Sequence, residues 1–381
     1  MELSEIRKEI DALDAELVRV FTERMHVCAA VAEYKQAHGL PVLDAARERQ
    51  KLSSLTSSAP EEMRPYLLGL YSQIFELSRL YQGRLLQPVS PLGARISAAV
   101  ERTPKLFPEA AVVACQGVEG AYSQHAAERL FRLPDIMYCS TFEAVFAAID
   151  SGLTRYGVLP LENSTAGSVN QIYDLMMRYQ FSIVRSLRLK VDHSLLARPG
   201  VRLEDVREIF SHPQALRQSQ GFLHTLGPDV KIAECANTAM AAQLVAESGR
   251  TDCAALSSRD CAALYGLSTL RASVQDNGNN YPRFICISKE LEIYPGADRT
   301  SVMLTIPHRP GSLYQVLSKV YALDINLTKL ESRPLPDRDF EFMFYFDLEK
   351  PVYSPDLLQL MGELESFCET FHYLGSYSEM V

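Results

Sequence analysis

Between residues 2 and 86 this 381-residue chain carries almost no strand signal. Ile6, Ile10, Leu13, Leu17, Val20, Val27 and Val31 recur at three- and four-residue steps, the spacing of one face of a long amphipathic helix. Gly39 and Pro41 end that pattern. Asp44 can cap a second helix, with Arg47 and Glu48 in its first turn. Pro60 opens a third, whose apolar stripe is Tyr66, Leu70, Ile74, Leu77 and Leu80. Three helices with so much apolar face bury poorly alone, so an interlocked helical dimer is the natural solution.

The polar residues of these helices are equally constrained. Arg7, Arg24, Lys35, Asp44, Arg47, Glu48, Ser78 and Gln82 read like the lining of a pocket for a small dianion. Arg7 and Arg24 would lie about 25 Å apart along one helix, at about 1.5 Å per residue, and on different faces. One small ligand cannot easily take both from one straight helix. If both are ligands, Arg7 comes from a second copy of the chain. Arg24 and Lys35 are about three turns apart and share a face. Taken singly, Arg7, Arg24 or Glu48 reads better as a solvated helix-face charge with a local ion pair; the whole constellation does not.

Bulk properties narrow the partners. A formal net charge of −9 argues against a general nucleic-acid or anionic-membrane surface, so local cationic clusters point to small anions. With 47% hydrophobic and 22% charged residues the chain has material for two or three domains. The eight cysteines are scattered without a C-x-x-C pair, which favours buried free thiols in a reducing compartment over zinc or a disulfide framework. The N-terminal stretch has no apolar signal core and no segment approaches the length of a membrane span, so the expectation is a cytoplasmic protein with no metal and no cofactor.

After a Pro- and Ser-rich break at 88–109 the texture changes. AVVACQG reads as a strand into a glycine turn, YSQHAAERLF as a helix, YGVLPLEN as a strand and loop, REIFSHPQALRQSQGFL as a strand, loop and helix, and CAALS then CAALYGL as strand to helix, an alternation that argues for parallel sheets with helices on both faces, in two α/β lobes. From Thr300 the order becomes βαββαβ, the ferredoxin-like arrangement. The expected fold class is therefore multidomain: an all-α module at 1–87, a linker at 88–109, an α/β two-lobed module at 110–289 and an α+β ferredoxin-like module at 299–381.

With these residues placed, the first 86 resemble the all-helical chorismate mutases, through E-I-R-K-E-I-D-A-L-D, T-E-R, Lys35, P-V-L-D-A-A-R-E-R and S-R-L-Y-Q. The resemblance implies that Arg7, Arg24, Lys35 and Arg47 hold the carboxylates and ether oxygen of chorismate. Asp44, Glu48, Ser78 and Gln82 would hold its hydroxyl and ether oxygen or orient the cations. The residue types suit the rearrangement to prephenate, which has no covalent protein step: arginine forks grip carboxylates and fixed donors stabilise charge on the ether oxygen. If Glu48 touched that oxygen it would have to be protonated to donate.

Residues 110–288 resemble prephenate dehydratases, through G-V-E-G-A-Y-S (117–123), V-L-P-L-E-N-S (158–164), S-H-P-Q (211–214), the stretch around Thr238, A-L-S-S (255–258) and Y-P-R-F (281–284). The resemblance implies that Glu162, Asn163, Ser164, Gln214, Thr238, Arg283 and Phe284 bind prephenate, with Arg283 on a carboxylate. The family has Thr-Arg-Phe where this chain has Pro282-Arg283-Phe284, and proline offers neither hydroxyl nor N–H. Tyr281, Ser164 or Thr238 would have to supply the missing donor. Residues 299–381 resemble ACT amino-acid-sensing domains, through R-P-G-S-L-Y (309–314) and N-L-T-K-L-E-S-R-P (326–334). By resemblance Gly311, Ser312, Leu313, Asn326, Leu327, Glu331, Ser332 and Arg333 take phenylalanine across a dimer interface.

The whole resembles the bifunctional chorismate mutase/prephenate dehydratases of phenylalanine biosynthesis, feedback-regulated by phenylalanine, as a homodimer or higher homo-oligomer. The alternative expectation is an active mutase whose middle module, silenced at Pro282, only binds or regulates.

Overall fold

The computed structural model describes residues 2–86, 90–163, 167–335 and 341–381. They fall into two compact units, one of Met1–Ser97, Leu304–Phe344 and Leu348–Phe371, the other of Ala98–Met303, Tyr345–Asp347 and His372–Val381.

Helix α1 runs unbroken from Leu3 to Ala37, started by a reciprocal Glu2–Glu5 capping box and stopped at Gly39, whose φ is +63°. Asp44 caps α2 (Ala45–Ser57) by accepting from Arg47 N at 2.9 Å. A 3₁₀ turn after Pro60 leads into α3 (Arg64–Leu86). The apolar stripe, which the sequence reading leaves for a second copy to cover, is exposed in the single chain: Leu13 and Leu17 keep 67% and 55% of their surface, and Ala32 is the one buried residue of α1.

The segment 88–109, expected as a linker, instead holds helix α4 (Pro91–Arg102). Ser90 Oγ accepts from Gly93 N at 2.9 Å, Pro91 stands at the first helical position where its missing N–H costs nothing, and Leu92, Ile96 and Ala99 are buried at helical spacing. Pro and Ser here start a helix rather than break one.

In the second unit the chain builds two sheets. The first collects β1 (Ala110–Gln116), β2 (Leu133–Cys139), β3 (Tyr156–Asn163), β4 (Gly167–Ser168) and β5 (Ser182–Arg188), with α5 (Tyr122–Leu130), α6 (Phe142–Asp150) and α7 (Asn170–Tyr179) between them. The second collects β6 (His193–Ala197), β7 (Glu208–Ser211), β8 (Lys231–Glu234), β9 (Cys253–Ser258) and β10 (Ser268–Arg271), with α8 (Pro213–Gln218), α9 (Gln220–Thr225), α10 (Thr238–Glu247) and α11 (Asp260–Leu264). The chain then returns, and β11 (Arg283–Ser288) inserts antiparallel between β3 and β5.

The two sheets are therefore mixed rather than parallel. The first, joined by the C-terminal strand β16 (Glu379–Met380), has the order β16-β5-β11-β3-β1-β2 with β4 on β3; the second has the order β10-β6-β9-β7-β8. The segments that cross between them pair with each other: Leu189 N donates to Pro282 O at 3.1 Å and Val191 N to Asn280 O at 3.0 Å.

The remaining elements are β12 (Arg299–Thr305), α12 (Ser312–Ala322), β13 (Asn326–Pro334), β14 (Phe342–Glu349), α13 (Pro355–Phe367) and β15 (Thr370–Tyr377), in the strand order β13-β14-β12-β15. This is the βαββαβ arrangement expected from the sequence. A last short strand, β16 (Glu379–Met380), pairs parallel with β5.

Candidate active sites

On the helical elements, Arg24 projects from α1 to Ser78 Oγ on α3, and its guanidinium lies over the Phe75 ring at 5.8 Å. Ser78 is buried, and its hydroxyl donates to Ile74 O at 2.5 Å. One turn further, buried Gln82 donates to Ser78 O at 3.1 Å, while its Oε1 has no partner among the described residues. Lys35 Nζ, half-buried, bonds Val42 O at 2.5 Å in the connection to α2. Asp44 and Arg47 are exposed at the start of α2, with Arg47 also donating to Gln50 Oε1 at 3.1 Å. Arg7 is exposed near the start of α1, about 25 Å from Arg24 at about 1.5 Å rise per residue. Seven of the eight expected residues thus lie on or beside the α1–α2–α3 packing, and Arg7 stands apart.

Both oxygens of Glu48 accept from Arg79 Nη1, so Glu48 holds a cation of its own chain. Arg79, absent from the sequence-derived set, also bonds Glu76 one turn back. Burial alone would push the Glu76 carboxyl up, but Lys319 and Arg79 outweigh it and hold the group below its ordinary value. Burial works against the Arg79 cation too, and Glu76 with Glu48 more than offsets it. The i, i+3 spacing of Glu76 and Arg79 was the available clue; nothing local announces Lys319.

In the second unit Arg283 opens β11 with 3% of its surface exposed. It was expected to take a substrate carboxylate. Its carboxylates are instead internal: Asp347 bonds its Nη1, Glu379 Oε2 lies 2.9 Å from its Nε, and Tyr377 Oη accepts from its Nη2 at 2.7 Å. Burial disfavours the guanidinium cation, yet Tyr377 and Asp347 outweigh that and raise its pKa. Phe284, expected to touch substrate, belongs to the core with Val113, Tyr156, Val158 and Cys286. The strand period explains both: consecutive β11 residues face opposite sides, and both sides are covered.

Glu162 and Asn163 end β3, half-buried, with Glu162 Oε1 3.6 Å from Arg283 Nη1. Ser164 lies outside the described residues. Gln214 sits at the start of α8, its N–H donated to His212 Nδ1 at 3.2 Å and its Oε1 taken by Arg217 at 2.8 Å. Thr238 is buried in the first turn of α10, next to Asn237, whose side chain accepts from Met240 N at 2.7 Å. Tyr281 is part-exposed, and Pro282 lies in the ribbon joining the sheets. The Gly117–Ser123 turn needs both its glycines at positive φ, +118° at Gly117 and +85° at Gly120.

Sequence reasoning missed a buried polar group beside that ribbon. His193 Nε2 lies 3.3 Å from Gln218 Oε1, which also accepts from Asn280 Nδ2 at 3.0 Å, and Tyr122 Oη donates to Asp192 O at 2.9 Å.

Among the effector candidates, Gly311 adopts φ +86° immediately before α12, and Ser312 is buried with its Oγ unpartnered among the described residues. Leu313 follows, half-buried. Asn326 Nδ2 bonds Glu349 Oε2 at 2.8 Å. Leu327, Glu331 and Arg333 alternate half-buried with exposed Ser332 along the edge strand β13. All eight cysteines are unpaired, and burial pushes the Cys115 thiol up to about 12. No described helix is long and apolar enough to cross a membrane.

A two-lobed α/β body whose chain returns through an antiparallel last strand defines the class. A family model described as prephenate dehydratase matches residues 113–292, and one described as chorismate mutase type II matches residues 6–83. The chain is 36% identical over 282 residues to an arogenate dehydratase/prephenate dehydratase of Arabidopsis thaliana, covering 70% of this chain and 71% of that one. Among solved structures, a prephenate dehydratase from Arthrobacter aurescens in complex with L-Phe superposes with TM-score 0.64 at 25% identity, over 70% of this chain and 89% of that one. A protein described as a quorum-quenching acylase superposes with the same score at 33% identity, over 70% and 97%. The chain belongs to the prephenate dehydratase family and carries a chorismate mutase type II region ahead of the dehydratase region.

Proposed function

We propose that the chain rearranges chorismate to prephenate on its helical region. On this reading the two-lobed region then takes carbon dioxide and water from prephenate to give phenylpyruvate. The observation that carries the mutase half is the meeting of Arg24, Ser78 and Gln82 on α1 and α3, with Glu48 held by Arg79 of the same helix and Lys35 and Arg47 on the elements that flank them. A second copy supplies Arg7 and covers the exposed stripe of α1, which makes the working unit a homodimer or larger. Guanidinium and ammonium groups grip the two carboxylates, and Lys35 with Gln82 Nε2 stabilises charge on the ether oxygen as its bond breaks.

In the dehydratase half, Glu162, Asn163, Ser164, Gln214 and Thr238 bind prephenate. Phenylalanine acts as effector on the C-terminal βαββαβ region, at Gly311–Leu313 and at Asn326, Leu327 and Glu331–Arg333. The strand order of that region supports this, as does the L-Phe held by the Arthrobacter relative. The domain boundaries proposed from the sequence, at 87, 110, 289 and 299, go with this reading.

Arg24→Ala lowers chorismate consumption at least about a hundredfold on this reading, the scale of a lost preorganised donor. Turnover at the wild-type rate rejects the mutase assignment.

A second reading is favoured by Pro282, which supplies no hydroxyl, and by an Arg283 already enclosed by Asp347 and Glu379. There the middle region binds prephenate or relays phenylalanine without turning prephenate over. Phenylpyruvate formation separates the two. A Pro282→Thr variant faster than wild type by about 10²–10⁴-fold, the usual worth of general acid help, supports the second reading. Wild-type turnover comparable to that of the threonine variant removes it.

A further inference from the structure

Four helices, α2, α3, α12 and α13, are joined by one line of charges that runs through a buried carboxylate. Glu76 on α3 takes Lys319 Nζ of α12 at 2.6 Å, from 243 residues away, and also accepts from Arg79. Lys319 is held on its other side by Glu363 of α13, at 2.9 Å. Arg79 reaches on to both oxygens of Glu48 on α2 at 2.5 Å. The charges alternate without a gap: Glu363, Lys319, Glu76, Arg79, Glu48. Side-chain exposure rises toward the last, from 7% at Glu76 through 21% at Arg79 to 26% at Glu48. The chain of charges is thus anchored in the interior and ends at a residue of the mutase-type site.

We infer that Arg79 is a positioning residue for Glu48, and that Lys319, contributed by the C-terminal region, sets how firmly Arg79 holds it. The inference rests on the mutase reading above. Glu76 is shared between two cations. With Lys319 in place, part of its charge is already satisfied, and the Arg79 guanidinium is free to extend to Glu48. With Lys319 removed, Glu76 draws Arg79 to itself, and Glu48 loses the partner that fixes its rotamer. Burial keeps these charges poorly screened, so the effect carries from one to the next. Position along α3 reinforces the link. Ser78, which Arg24 contacts, immediately precedes Arg79, and Gln82 lies one turn beyond, so one turn of helix serves both the arginine of α1 and the glutamate of α2.

The test uses the full-length chain and the conversion of chorismate, with kcat and KM determined separately. Lys319→Gln is expected to lower kcat about tenfold with KM held within about twofold, and Lys319→Arg to restore most of the loss. The deciding measurement is a double-mutant cycle. In a Glu48→Gln background, Lys319→Gln should change kcat by less than about twofold, because the route to the site is already cut. A purely structural Lys319 would give the same fold loss in both backgrounds. That result, or a wild-type kcat for Lys319→Gln, overturns the inference. Arg24→Ala runs alongside. If it abolishes turnover while Lys319→Gln does nothing, the inference alone fails; if it retains full turnover, the mutase reading fails and takes the inference with it. Should Lys319→Gln not fold, the Glu76→Gln/Lys319→Met pair avoids stranding one buried charge, and the same two outcomes decide.

Discussion

His193 is buried with Nε2 near Gln218 Oε1 and with Nδ1 unpartnered among the described residues. Burial pushes its pKa below the ordinary 6.5, and the Gln218 contact only partly opposes this. The unfolded chain therefore takes up a proton near pH 6.5 that the folded chain refuses until lower pH. Stability from keeping this ring neutral is full above about pH 6.5 and is lost as pH falls through the folded value. His212 and His372 are shifted the same way, also by burial. Melting temperature should hold steady from about pH 8 to 7 and decline from about pH 6.5 downward, with a shallower decline for His193→Gln. A wild-type profile flat to pH 5 would contradict this. Glu76 acts later: held below its ordinary 4.5 against burial by Lys319 and Arg79, it gives up stability only in the more acid range. The arginines show how a residue type alone misleads. Arg24 and Arg283 are equally plausible anion ligands in sequence, yet Arg24 reaches a buried serine while Arg283 is enclosed by three carboxylates of its own chain.

At the scale of elements, the turn before α5 is the sharpest constraint. A Cβ at Gly120 would stand 2.9 Å from both Cys261 Sγ and Leu264 Cδ2, on a backbone already at φ +85°. Gly120→Ala should cost about 1–3 kcal/mol in denaturant unfolding, the scale of overpacking, and no loss would mean that α11 yields freely. Element existence was legible because it is written locally. The three-and-four spacing gave α1, the Asp44 and Pro60 signals gave the starts near α2 and α3, and the last βαββαβ run came through in order. What was not legible is written across distance. Nothing in the β11 sequence says that it lies antiparallel between β3 and β5, so parallel sheets were the natural expectation. The helix at α4 was hidden because Ser and Pro serve equally in turns and at helix starts. In the candidate mutase site the expected residues are placed by the helices that carry them. Arg79 and Lys319 needed the tertiary contact between α3 and α12 to be seen.

For the molecule as a whole, the decisive feature is apolar surface left uncovered along a 35-residue helix. Leu3, Ile6, Ile10, Leu13 and Leu17 remain open to water in the single chain, more than a soluble monomer usually leaves in one strip. A second copy lying along α1 would bury this strip and bring Arg7 to the partner's Arg24. Sedimentation should therefore give a dimer or larger, and Leu13→Glu/Leu17→Glu should shift it toward monomer and abolish chorismate turnover together. Dissociation with activity intact would separate assembly from catalysis and remove the shared-site idea. The paired ribbon of Leu189–Val191 and Asn280–Pro282 has its own effect. Everything from His193 to Arg271 departs and comes home through a single doorway, and Tyr265 Oη, which donates to Glu119 O at 2.6 Å, latches that excursion back onto the turn before α5.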